Sequence, residues 1–347
     1  MAETNIPSIM VGGVDIFNLP VSTVSHDMAG KTILIYGSNR TGKTQQSCKF
    51  PKPIYLGFEN GLNGIAGVPY KFFNTWGEYL SLMRALLSPQ NIEKTREVYQ
   101  TFIFDTVQAA ALLCQDYICG KYGVSSIKEG NSGYGLWTEY ETEFKRQINN
   151  LVKGGFTVIF ISHETTRDFT DENGKTYSKI YPAGDKRSID PVCDAVDIIA
   201  YASVNGLDEE GNEIKSSLYM KNTKKYHAGS RFSHLPAYLP EFTAEALQEA
   251  IKKATIEEEQ ATGVKTVSYE EQIKAREVEK PDFETVKEQI GKYAMALNKL
   301  NRMDEYNKIV SNYLKIKVSA AEPTQLDQLI FILEDLQQLK DIDITKE

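Results

Sequence analysis

Residues 37 to 44, Gly37-Ser38-Asn39-Arg40-Thr41-Gly42-Lys43-Thr44, match the spacing GxxxxGK[ST]. Such a spacing suits phosphate chemistry. Positions without side chains let backbone N–H groups wrap an anion, and the N-terminus of a following helix adds a favourable dipole. Lys43 then reaches the outer phosphates and the Thr44 hydroxyl ligates magnesium, so ATP with Mg2+ is the expected cofactor. The bland alternative is a glycine-rich turn beside a helix cap.

Three further strand ends carry polar groups. Thr101-Phe-Ile-Phe-Asp105 is apolar up to Asp105, the expected carboxylate for the metal's water shell. Thr106 rather than a glutamate follows, so a water-activating base must come from elsewhere. Glu59, in Tyr55-Leu-Gly-Phe-Glu59-Asn60-Gly61, is the candidate general base, against the reading of an exposed turn glutamate. His163, in Ser162-His163-Glu164, is either a sensor of the γ-phosphate or an ordinary hydrogen-bonded strand end.

The elements that must position these groups follow from pattern. Residues 31 to 250 alternate β-rich runs with helical stretches, the signature of an α/β domain on a largely parallel sheet. Strands are expected at 31–37, 53–58, 99–105 and 156–162. Tyr140, Phe144, Ile148 and Leu151 fall about one turn apart, predicting a helix over 136–153 that stops at Gly154-Gly155. Asp171 to Lys175 and Asp208 to Asn212 read as hairpin tips. The expected division is an N-terminal arm over 1–24, a P-loop ATPase domain over 25–250, a charged linker or exposed helix over 251–281, and a small helical domain over 282–347. In the last, Leu326, Leu329, Ile330, Leu333, Leu336 and Leu339 recur at helical spacing behind Pro323.

GSNRTGKT, YLGFENG, FIFDT, GYGLW before a long helix, and VIFISHE occur in that order. Over roughly residues 25 to 240 the chain resembles phage-encoded P-loop nucleotide-binding proteins, catalogued as AAA-type but with a RecA-like core, including Sak-type single-strand annealing recombinases. The resemblance implies a RecA-like P-loop NTPase core followed by the helical domain. It implies a catalytic role for Glu59 and a role for His163 in linking nucleotide state to DNA loops. Related recombinases often carry a Lys-Asn-Arg-like motif that reaches a neighbour's phosphate. Here the comparable stretches read Met220-Lys221-Asn222-Thr223 and Gly229-Ser-Arg231-Phe, leaving Lys221 and Arg231 as alternatives. A trans-acting residue implies a homo-oligomer, ring or filament.

Composition bounds the remaining choices. With 41% hydrophobic and 25% charged residues, the chain falls in the ordinary globular class. No apolar run approaches the roughly 20 residues that span a bilayer. The first thirty residues hold no Lys or Arg, so no targeting segment is read and a cytoplasmic protein, in the host if phage-encoded, is expected. Four cysteines without CxxC spacing and four histidines give no legible zinc site. A net charge of −8 excludes a uniformly basic nucleic-acid coat. Between Lys215 and Pro240, however, Lys215, Lys221, Lys224, Lys225 and Arg231 occur with no acidic residue, interleaved with Tyr219, Tyr226, Phe232 and Tyr238. Cations plus aromatic faces are how sequence-tolerant single-strand binding is built, so single-stranded DNA is the expected partner, with Lys215, Lys224, Lys225 and Tyr226 as candidate contacts. The leading expectation is an ATP-dependent recombination ATPase. The alternative is a nucleotide-gated adaptor of phage replication or defence with little turnover; a single-strand-binding or replication protein is the expected partner of the helical domain.

Overall fold

The computed structural model describes residues 10–11, 14–15, 19–207, 209–211, 214–275, 281–340 and 342. It divides into two compact units, one from Thr23 to Gln272 and one combining Met1–Ser22 with Ile273–Glu347.

The larger unit is built on strands that are apolar along most of their length. β1 (Thr32–Gly37), β4 (Thr101–Asp105) and β5 (Thr157–Ser162) are buried along their whole length. Burial on both faces is what a parallel sheet covered by helices requires. With β2 (Pro53–Gly57), β3 (Tyr70–Phe72), β8 (Ile198–Ser203), β9 (Ser217–Tyr219), β10 (Gly229–Ser230) and β11 (Tyr238–Leu239) they form a nine-stranded sheet of order β11-β9-β8-β1-β5-β4-β2-β3, with β10 pairing on β8. From β8 to β3 all neighbours are parallel; β9, β10 and β11 are antiparallel additions. Both edges are short. β3 directly follows Pro69 and β11 directly precedes Pro240.

One face carries Leu34, Phe102, Phe104 and Phe160, packed under α2 (Trp76–Leu86), α4 (Val107–Tyr122) and α5 (Trp137–Lys153), with α3 (Ile92–Val98) beside them. The predicted α5 stripe of Tyr140, Phe144, Ile148 and Leu151 is fully buried, and Gly155, at φ 83°, follows the helix end. On the other face Ile33, Ile35, Ile103 and Ile159 meet α7 (Ala244–Thr262) through Leu247 and Ile251, with the short α1 (Lys43–Ser47) on the same side. After β5 the chain leaves the sheet as a hairpin, β6 (Glu164–Thr170) and β7 (Thr176–Pro182), and returns through α6 (Lys186–Ala195). Asp171 caps the hairpin tip, its Oδ1 accepting from the N–H groups of Asn173 and Lys175. The second expected tip rests on Asp208 and Asn212, which lie outside the described residues.

The charged stretch after residue 250 differs from the linker expectation as far as Gln272. Ile251, Ala254 and Thr255 are buried in α7, the Val267 N–H donates to the Val24 carbonyl, and the Tyr269 ring, at the start of α8 (Tyr269–Lys274), covers Gly30. The glutamate run lies on the partly exposed helix face, where His234 meets Glu258 at 3.3 Å. Sparse apolar residues at helical spacing therefore suffice to dock it. Most of the expected 1–24 arm lies outside the described residues.

The smaller unit has its own core. α9 (Phe283–Lys299), α10 (Met303–Tyr313) and α11 (Leu326–Gln337) bury Val286, Ile290, Leu297, Leu329, Ile332 and Leu336. Among the described residues no helix is long and apolar enough to cross a membrane.

Phe104 sets the position of the strand that ends in Asp105, packing on Phe58 at 4.4 Å and Phe160 at 5.4 Å between ring centroids. Phe104→Ala should destabilise the larger unit by about 3–5 kcal/mol, read as a lower urea midpoint with an unchanged slope.

Candidate nucleotide-binding site

Parallel strands bring their carboxyl ends to one edge, the usual place for a ligand crevice in an open α/β sheet. Here β5 lies between the P-loop strand β1 and the Asp105 strand β4, pairing Tyr36 with Ser162 and Asp105 with Ile161. The P-loop, His163, Asp105 and Glu59 therefore line up along one rim. A cleft of about 340 Å³ opens there, bounded by Asn39 to Gln45, Glu59, Asp105 and His163.

Two glycines set the loop's approach. A Cβ on Gly37, at φ 152°, would sit 2.2 Å from the Ala202 carbonyl oxygen, and Gly42 occupies the left-handed region at φ 80°. Lys43 is 6% exposed, and its ammonium donates to the carbonyls of Gly37 (2.9 Å) and Ser38 (2.6 Å) and to Thr41 Oγ1 (3.2 Å). Burial pulls its pKa down to about 8, partly offset by Asp105, Glu164 and Glu59, so it remains a cation at neutral pH.

Asp105 is 1% exposed. Its Oδ2 accepts from Thr44 Oγ1 at 2.7 Å and from the Tyr55 hydroxyl at 3.1 Å. Burial pushes the carboxyl up to about 6, against those two hydrogen bonds and Lys43, with the charge of Glu59 adding to the rise. Thr44 and Asp105 form a pair of hard oxygen donors on one wall, the chemistry magnesium prefers. Gly61 stands close by, since a Cβ there would lie 2.6 Å from the Tyr55 hydroxyl and 3.0 Å from Asp105 Oδ2.

Glu59 is half-buried and held from two sides. Thr106 Oγ1 donates to Oε2 at 3.1 Å, and His163 Nε2 lies 3.3 Å from Oε1. The histidine bond, followed by Thr106 and Lys43, lowers the carboxyl below its ordinary range against the opposing effect of burial. A carboxylate so held is ionised at neutral pH, and it lines the cleft.

The family described as AAA domain matches residues 29–232. The chain belongs to it. The SPbeta prophage-derived uncharacterized protein YorG of Bacillus subtilis (strain 168) is 45% identical over 328 residues, covering 94% of this chain and 98% of that relative. The AAA-domain match spans the P-loop, Glu59, Asp105 and His163 together, and the fold is that of a P-loop NTPase core followed by a helical region.

Within this AAA domain, the structure gathers Asn39 to Thr44, Glu59, Asp105 and His163 at one cleft, with the Gly37 and Ser38 carbonyls accepting from Lys43, and leaves other candidates elsewhere. Arg231 follows β10, which pairs with Ile198 and Ile199 at the opposite end of β8. Its guanidinium meets Asp197 at 3.3 Å and the Asp194 carbonyl at 2.6 Å. Lys221 is exposed and stands outside the cleft lining. Lys215 pairs with Glu241 at 2.7 Å. Lys224 and Lys225 lie on a loop docked along the β6–β7 hairpin, where the Ile180 N–H donates to the Lys225 carbonyl and Lys224 Nζ sits over the Tyr177 ring. The Tyr226 ring already packs on Tyr201 (5.3 Å) and Tyr219 (4.9 Å).

Three partners escaped the sequence reading: Tyr55, Thr106 and Glu164, whose Oε1 accepts from Ser38 Oγ at 2.7 Å and ties the hairpin root to the P-loop. Thr106 and Glu164 each adjoin a residue already singled out, which was the available signal. Tyr55 needed the strand register.

The raised Asp105 pKa has a definite sign. A carboxyl held higher in the folded state than in the unfolded chain favours folding at low pH, and that contribution is lost as pH rises through about 6. Asp105→Asn should therefore stabilise the metal-free protein by about 3 kcal/mol at pH 7.5 and by roughly half that at pH 5, measured by chemical denaturation in EDTA.

Proposed function

We propose that this chain is a phage-encoded ATPase of DNA recombination, binding ATP with Mg2+ and acting on single-stranded DNA in annealing or strand exchange. The observation that carries the reading is the convergence of Lys43, the Thr44–Asp105 pair and the braced Glu59 carboxylate on one cleft. The prophage-derived relative supports the phage assignment.

Thr44 and Asp105 would hold Mg2+, which when bound neutralises and orients phosphate oxygens. Lys43 exchanges its loop carbonyls for phosphate oxygens. Glu59 accepts a proton from a water through the oxygens that face the cleft, while Thr106 and His163 fix its orientation. The tautomer of His163 with its proton on Nε2 donates to Glu59 Oε1, so a change at the γ-phosphate position is felt one residue before the hairpin begins.

That hairpin and the loop beside it support the nucleic-acid half. Arg167 lies over Tyr181 at 4.1 Å, Lys179 over Phe169 at 5.7 Å, and exposed Lys224 and Lys225 border them. Arg167 and Lys179, engaged by Asp190 and Asn222, hold the hairpin that presents exposed Lys224 and Lys225 beside aromatic rings, a setting suited to a flexible polyanion with bases. The proposed assembly of subunits, ring or filament, would line several copies of such elements in series.

Lys43→Ala should abolish nucleotide binding, whereas Glu59→Gln should keep binding within about threefold and lower turnover by about 10²–10⁴-fold, followed by labelled-nucleotide titration and phosphate release. Equal loss of binding in both variants would make Glu59 a structural residue. Single-stranded DNA should stimulate turnover. Changing Lys224 and Lys225 to alanine should weaken DNA binding about tenfold and flatten its salt dependence in anisotropy titrations. No DNA binding at low salt and no stimulation would favour the nucleotide-gated adaptor instead.

A further inference from the structure

A second cleft, of about 370 Å³, lies among the ends of α2, α3 and α5 and shares no lining residue with the nucleotide cleft. Its apolar part is Met83, Leu87 and Ile92; its cations are Arg84, Arg96 and Lys153. No carboxylate lines it, although the chain as a whole carries −8. Arg96 is engaged by Glu93 at 2.7 Å and the Gly154 carbonyl at 3.4 Å. Arg84 and Lys153 are exposed and have no ion-pair partner among the described residues. Both are last-turn cations, of α2 and α5, and there they offset the partial negative charge of a helix C-terminus. Helix stability explains one cation per helix end. It does not explain why two such ends converge on an apolar floor.

We propose that this cleft docks a short acidic peptide of a partner protein, one apolar side chain resting on Met83, Leu87 and Ile92 with flanking carboxylates on Arg84 and Lys153. The complementarity is of charge, cations without a lining carboxylate around an apolar floor. Nucleic acid fits less well, because no aromatic ring lines the cleft and single strands are held by stacking as well as by cations. Asn150 on the rim offers both a donor and an acceptor, which match a peptide backbone. Gln147 Nε2 is taken by Glu143 at 3.0 Å, leaving its carbonyl oxygen to accept a peptide N–H.

The test uses the full chain as bait for a yeast-displayed random dodecapeptide library at low salt, followed by anisotropy titration of the enriched peptides. Enriched sequences should place two or more Asp or Glu around a single Leu, Ile or Met. Their affinity should fall at least tenfold for the pair Arg84→Glu and Lys153→Glu, and should fall with added salt. The pair Arg84→Gln and Lys153→Gln, which removes charge with less disturbance of the helix ends, should weaken binding in the same direction. Enrichment without acidic residues, no enrichment, or unchanged affinity in the glutamine pair would overturn the proposal. Displacement of bound peptide by an equal concentration of oligothymidylate would overturn it in favour of nucleic acid.

Discussion

Asp105 is a carboxylate that the fold buries almost completely, at the end of a strand with hydrophobic residues on both faces. A buried anion is costly unless hydrogen bonds and opposite charge surround it. Much of the rim's construction answers that need. Thr44 and Tyr55 each give it a hydrogen bond, Lys43 supplies positive charge, and Gly61 keeps clear of its oxygen. These groups come from β2, the P-loop helix and the turn after β2, and they meet at the end of β4. Their meeting point depends on the parallel order that sets β5 between β1 and β4.

The same arrangement shows why some of the site was legible in sequence and some was not. Gly37, Gly42, Lys43 and Thr44 lie within one loop, so their spacing along the chain is their spacing in space. Asp105, Glu59 and His163 were reached by a weaker rule, that polar residues at the ends of apolar runs gather on one edge of a parallel sheet. Tyr55 obeys neither rule. It sits inside an apolar strand, and only the folded sheet shows its hydroxyl reaching Asp105. Arg231 illustrates the converse. Its neighbourhood in sequence resembles a motif that reaches a neighbour's phosphate, and only the antiparallel β10 shows that within its own chain it stands at the far end of β8, beside Asp197. The glutamate-rich stretch after residue 250 misled for a third reason: composition averages over a helix, while docking needs only one face.

Electrostatics in this molecule is local. The acidic excess is spread over the surface, while cations collect in particular places: the P-loop, the hairpin flank with Lys179, Lys224 and Lys225, and the junction of helix ends near Arg84. Lys179 is 7% exposed and donates to Asn222 at 2.7 Å, so part of the hairpin's charge serves to fasten the neighbouring loop. Arg167 pairs with Asp190 at 3.0 Å and anchors the hairpin to α6. Cations with such internal duties position the exposed ones beside them.

The short, proline-flanked margins of the main sheet bear on how copies of this chain can meet. A long bare edge invites another chain to continue the hydrogen-bond ladder, and short strands bordered by proline discourage it. At one margin β3 offers three residues behind Pro69; at the other β11 offers two before Pro240. Growth by strand addition is thereby disfavoured at both ends. A closed ring or an open filament of copies would then not be built by continuing the main sheet's own ladder.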